Sequence, residues 1–104
     1  MIKIANHTHN EPFDVYGGRG ETPPEQTPIG QYGWLGNPYH IDKDGDRDEV
    51  IAKFQDYFWR RLGEPEFVEA VKALDGLTVC CWCAPEPCHL NVINDWFKAG
   101  CPVP

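Results

Sequence analysis

The sequence lacks any apolar run approaching the roughly 18 residues that a membrane span requires. Its first ten residues, MIKIANHTHN, lack the apolar core of a secretion signal, and no repeat or low-complexity tract is visible. A chain of 104 residues has room for one domain with one modest core. We therefore expect a single soluble domain over residues 1–104, located in the cytoplasm and without membrane contact.

Basic residues are scarce. The chain has 9 Lys and Arg against 16 Asp and Glu, for a formal net charge of −7. A protein that coats nucleic acid normally presents a basic face, so this charge argues against that class. It fits a protein that binds a small molecule, and it also fits one that docks on a basic protein partner.

The cysteines are unevenly placed. There are five, an odd number, and four of them lie between positions 80 and 88. Such crowding does not resemble a disulfide framework, whose cysteines are spread along the chain. It favours a compartment in which thiols stay reduced.

Hydrophobic spacing predicts an α/β fold. Alternating residues indicate short strands at 2–5 and 13–16, and the continuous apolar run LTVCCWC indicates a central strand at 77–83. Helices are predicted to start at the Asp46 cap, at Pro65 and at Pro87. The expected architecture is a short mixed sheet of about three to four strands packed with three helices.

The cluster CCWCAPEPCH (80–89) is the most specific signal. Cys88 and His89 would lie in the first turn of the last helix, where free N–H groups and the helix dipole favour a thiolate. The strand end, the turn and the helix start would form one pocket. In the enzymatic interpretation, Cys83 or Cys88 is the nucleophile or general acid, and His89 is its base.

Two other interpretations of the cluster stay open. Cys81, Cys83, Cys88 and His89 could hold zinc, although the spacing lacks the paired C-x2-C knuckles of common zinc modules. Alternatively, the cluster is a buried structural turn. We expect no cofactor, with zinc as the alternative.

A second candidate region is GGRG (17–20), which follows a predicted strand. Gly18 and Gly20 would let backbone amides approach a ligand, and Arg19 could pair with a phosphate or carboxylate. A plain turn is the alternative. In WLGNPYH (34–40), Gly36 allows a tight turn and Asn37 could orient a ligand. Trp34 or Tyr39 could stack on a ring, or both could be core aromatics.

The segments EPFDVYGGRG, LGNPY, DGDRDEVIAKF and LTVCCWCAPEPCH together resemble domain-of-unknown-function family 4326, found in bacteria and their phages. The resemblance covers nearly the whole chain. It implies that the three motifs belong together, and it implies no activity. The motif residues it carries over are Arg19, Gly20, Gly36, Asn37, Pro38, Cys81, Trp82, Cys83, Cys88 and His89.

Two features depart from the family pattern. Gly17 stands where the pattern usually has isoleucine, and the link from Gly20 to Trp34 is longer than usual. Because this link is longer than in the family pattern, the mouth of the expected pocket would differ from that of other members.

The leading functional hypothesis is an intracellular protein that binds a small anionic, nucleotide-like ligand, either as a cysteine-dependent enzyme or as a phage-type protein that sequesters a nucleotide. The sequence leaves open whether a reaction is catalysed. The alternative is an acidic interaction module, such as a phage-type inhibitor of a basic protein, whose cysteine cluster is structural or binds zinc.

Overall fold

A computed structural model of the chain describes residues 1–6, 11–82 and 86–104. Over these residues it contains three strands and three α-helices, which confirms the α/β class. In chain order the elements are β1 (Lys3–Asn6), β2 (Val15–Tyr16), a short 3₁₀ helix (Pro24–Gln26), α1 (Arg47–Arg61), α2 (Pro65–Lys72), β3 (Thr78–Cys81) and α3 (His89–Lys98).

The strands form a sheet in the order β1-β3-β2. Val79 of β3 lies opposite both Ile4 and Val15, and both pairings are parallel. The described sheet is therefore parallel, whereas a mixed sheet was expected. The two helices between β2 and β3 supply the long crossover that a parallel pair needs.

The central position of β3 follows from its composition. Val79 and Cys80 are fully buried and Cys81 is 1% exposed, as the continuous apolar run predicts for a strand covered on both faces. Parallel strands place their carboxyl ends at one edge of the sheet. The residues that follow β2 and β3 are therefore brought together there.

Helix α1 starts where the sequence predicts. The Glu49 backbone N–H donates to Asp46 Oδ1 at 2.9 Å, and the Asp46 N–H donates to Glu49 Oε1 at 3.2 Å, which is a capping box. The helix packs Phe54 and Phe58 into the core, where Phe58 meets the Trp96 ring of α3 edge-on at 5.8 Å. This packing fixes α1 and α3 on either side of the site.

Helix α3 begins at His89, two residues after the predicted start at Pro87. Cys88 has extended backbone angles and is the N-cap, and its N–H donates to Asn91 Oδ1 at 2.8 Å. His89 is thus the first helical residue. No helix in the described ranges is long and apolar enough to cross a membrane.

Candidate functional site

A cavity of about 240 Å³ lies where β2 and β3 end and α3 begins, which is where parallel α/β sheets place their ligands. Residues from five parts of the chain line it. They are Gly18 and Arg19 after β2; Asn37, Tyr39, His40 and Ile41 from the long loop; Arg47, Val50 and Ile51 of α1; Cys81 and Trp82 at the end of β3; and Pro87, Cys88 and His89 at the start of α3.

The three sequence motifs meet at this cavity. GGRG, the GNPY turn and the cysteine cluster each contribute lining residues, although the lining residues of different motifs are 18 to 71 positions apart along the chain. Of the predicted site residues, Cys83 lies outside the described residues. The other two predicted catalytic residues, Cys88 and His89, are close neighbours at the helix start.

Arg19 joins the first two motifs. Its Nη1 donates to the backbone carbonyls of Asn37 at 3.0 Å and Tyr39 at 3.3 Å. A guanidinium has five N–H donors on three nitrogens. Within the described part of the chain, both bonds come from Nη1. Nε and Nη2 therefore retain donors for an anionic ligand, while the carbonyls hold the side chain in place.

Asn37 fixes the shape of the turn. Its Nδ2 donates to the Val50 carbonyl of α1 at 3.1 Å, and its Oδ1 accepts the Tyr39 N–H at 3.0 Å. The residue is only 7% exposed. Its clearest structural role is to tie the turn to α1, and direct contact with a ligand stays a prediction.

Gly36 is required by a close approach of two backbones. A Cβ at this position would lie 2.9 Å from both Cα and Cγ of Arg19. A Cβ at Gly20 would likewise lie 2.8 Å from the Tyr32 carbonyl oxygen, and Gly20 does not line the cavity. These glycines therefore pack one protein segment against another.

Cys81 and Cys88 bring two thiols to the wall of the cavity. Their Sγ atoms are 3.5 Å apart, and both residues are almost fully buried. Cys80 is also fully buried, and loss of hydration raises the pKa of its thiol.

His89 bridges α3 and β2. Its Nε2 lies 2.7 Å from the Gly17 carbonyl, and its ring meets Phe54 edge-on at 4.9 Å. Loss of hydration, helped by the charge of Arg19, lowers the pKa of His89 to about 4, although hydrogen bonds to the carbonyls of Gly17 and Leu35 act in the opposite direction. The ring is therefore neutral at pH 7. An Nε2 that donates to Gly17 has no lone pair to offer as a base, so a catalytic role would need Nδ1 or a different tautomer.

No group of three or more His, Cys, Asp or Glu residues that could hold a metal occurs among the residues described. The zinc hypothesis names Cys83, which lies outside them. It stays a prediction, because the remaining set of Cys81, Cys88 and His89 is incomplete without that residue.

The structure distinguishes the two aromatic residues of WLGNPYH (34–40), for which stacking on a ligand and packing in the core were both open. Trp34 is 6% exposed and packs edge-on against Phe67 in the core, so it does not line the cavity. Tyr39 does line it, below Lys53, whose Nζ lies 5.7 Å from the ring centre. The resemblance named Trp82 without a role, and this side chain borders the cavity and is 54% exposed.

Arg47 was also missed, because it lies inside the acidic run DKDGDRDE (42–49). Its Nη2 is 2.9 Å from Glu86 Oε2, and its Nη1 donates to the Pro87 carbonyl at 3.2 Å. These contacts tie α1 to the segment before α3. Arg19 and Arg47 are the charged side chains in the described lining, which contains no Asp or Glu.

Comparison with known proteins gives the family. The family model described as domain of unknown function (DUF4326) matches residues 2–99. An uncharacterized 12.4 kDa protein in the nrdA-td intergenic region of Enterobacteria phage T4 is 34% identical over 65 residues, which cover 57% of this chain and 60% of that protein. No solved structure matches. The chain belongs to the DUF4326 family.

Proposed function

We propose that this chain binds a small anionic ligand in the cavity between β2, β3 and α3. One observation carries the proposal: the described lining has no Asp or Glu and two arginines, of which Arg47 is ion-paired with Glu86 while Arg19 is held by neutral backbone carbonyls, in a chain whose net charge is −7. A cationic concavity on an acidic protein attracts anions while the rest of the surface repels them. The proposed setting is the cytoplasm, as the sequence predicts.

Two kinds of donor would hold the anion. Arg19 is held by two carbonyls, so little side-chain freedom is lost when it forms charge-assisted hydrogen bonds through Nε and Nη2. The N-terminus of α3, a helix of ten residues, offers backbone N–H groups and the positive end of its dipole. A phosphate or carboxylate group fits both.

Binding without turnover is the form of this function that the geometry supports best. The enzymatic form needs His89 as a base, and the 2.7 Å contact between Nε2 and the Gly17 carbonyl opposes that role. Recovery of the ligand after long incubation separates the two forms. A binding protein returns intact ligand, whereas an enzyme returns product.

Calorimetry with inorganic pyrophosphate and nucleoside 5′-monophosphates tests the proposal. We expect binding that weakens by about tenfold or more in Arg19→Gln, because charge-assisted bonds are lost. Arg60→Gln is the matched control: this exposed arginine lies on α1, bonds to the Asp56 carbonyl and is absent from the cavity. If no anion binds, or if both variants weaken binding equally, the proposal is wrong.

A bound anion should also shield Cys88. We expect saturating pyrophosphate to slow alkylation of Cys88 by iodoacetamide severalfold, because the thiol lines the cavity. Cys101 is the internal control, since it lies beyond the other end of α3, about 15 Å away. Peptide mass spectrometry measures both rates in one sample. Equal slowing at both cysteines would indicate general stabilisation and not occupancy of the cavity.

A further inference from the structure

We infer that the anionic ligand is a nucleotide whose base stacks on Trp82 at the mouth of the cavity, while its phosphate lies beside Arg19. The inference rests on the proposed function and adds the chemical class of the ligand. It also assigns Trp82 as the residue that distinguishes a nucleotide from a simple sugar phosphate.

A fixed chain of hydrogen bonds connects the aromatic ring to the anion-binding residue. Trp82 Nε1 donates to the Tyr16 hydroxyl at 2.9 Å, and that hydroxyl donates to the Arg19 carbonyl at 3.1 Å. The Tyr16 hydroxyl thus links the edge of the Trp82 indole to the Arg19 backbone. A ligand with a ring at one end and an anion at the other matches this arrangement.

The exposure of Trp82 supports a stacking role. The side chain is 54% exposed although it borders a cavity, whereas Trp34 and Trp96 are 6% and 5% exposed in the core. Tyr16 extends the aromatic surface, because its ring stacks on Tyr32 at 4.4 Å with the planes 7° apart. Base–aromatic stacking tolerates any base, since every base has a π-face.

The size of the cavity places the base outside it. About 240 Å³ is below the roughly 300–1,000 Å³ of sites that enclose a drug-sized ligand. The cavity can take the phosphate and part of the sugar of a nucleotide. The base then extends to the rim, where Trp82 lies.

Paired affinity measurements test the inference. We expect at least one of the five common nucleoside 5′-monophosphates to bind about tenfold more tightly than ribose 5-phosphate. In Trp82→Ala this preference should vanish, so that the ratio of the two affinities falls to about one. Trp82→Phe should keep most of it, because a phenyl ring still stacks. Trp59→Ala is the control, since Trp59 is 44% exposed on α1 and does not line the cavity.

The outcomes separate the inference from the proposed function. If every nucleotide binds no better than ribose 5-phosphate, or if Trp82→Ala keeps the preference, the inference is wrong and anion binding stands. If ribose 5-phosphate, pyrophosphate and all nucleotides fail to bind, both are wrong. Thermal melting of each variant confirms that it folds.

Discussion

Acidification from pH 7 to pH 5 should lower the free energy of unfolding by up to about 2 kcal/mol through His89 alone. The folded-state pKa is about 4, and that of an unfolded histidine is about 6.5. Between these values the unfolded chain binds a proton that the folded chain does not. Stability is therefore full above pH 6.5 and is lost as the pH falls toward 4. Since His89 is only partly buried, 2 kcal/mol is the upper end.

Other groups titrate in the same range, so the comparison is with His89→Gln, which does not titrate. Urea unfolding of both proteins at pH 7 and pH 5 gives the His89 contribution as the difference between the two changes. An NMR titration of the His89 ring in the unaltered protein gives its pKa directly and does not depend on the variant folding. A value near 6.5 would show that the ring is hydrated and free to protonate.

Gly36→Ala should weaken anion binding by about tenfold or more and lower the free energy of unfolding by about 1–3 kcal/mol. The new Cβ would lie 2.9 Å from Cα and Cγ of Arg19, so the turn and Arg19 must move apart. That movement also lengthens the bonds from Arg19 Nη1 to the carbonyls of Asn37 and Tyr39. Calorimetry and urea unfolding measure the two effects separately.

Gly63→Ala is the control for this substitution. A Cβ at Gly63 would meet only the Arg60 carbonyl, at 3.2 Å, and the residue lies far from the cavity lining along the chain. We expect a small change in stability and none in binding. If Gly36→Ala binds anions as the unaltered protein does, the turn does not position Arg19 for binding.

Local signals made the elements predictable. Asp46 and Glu49 form the predicted capping box, Pro65 is the first residue of α2, and β3 is the buried central strand. Each of these features depends mainly on residues that are close together in the sequence. The convergence of the strand ends and the start of α3 followed from the same pattern, and it located the cavity in advance.

Long-range packing decided what the sequence could not show. Trp34 lies in the long loop and Trp82 directly follows β3, and neither local sequence shows that the first is in the core and the second is exposed. Arg19 meets the carbonyls of Asn37 and Tyr39 across 18 and 20 residues, and no local pattern encodes that contact. Burial and side-chain partners depend on the whole fold, so roles for single residues were the least predictable part.

Gly17 illustrates the same limit. The family pattern has isoleucine there, and in this chain a Cβ would lie 2.7 Å from Val79 Cγ1 and 2.9 Å from Leu90 Cδ1. Neighbouring core side chains occupy the space, so glycine is required by its surroundings. Its carbonyl is also the partner of His89.

The interaction-module hypothesis stays a prediction. Within the acidic run, Asp46 caps α1 and Asp44 Oδ2 accepts the His40 N–H at 2.8 Å, a bond that lowers the pKa of Asp44. With Glu49, which accepts the Asp46 N–H in the capping box, local structure already uses three of its carboxylates.

Backbone NMR during titration with pyrophosphate tests most directly whether the cavity is an anion site. If it is, the amide signals of Gly18, Arg19, Cys88 and His89 shift together and saturate at one ligand per chain. These shifts disappear in Arg19→Gln. Signals that stay fixed at these four residues, or that move instead around Trp59 on the outer side of α1, would contradict the account.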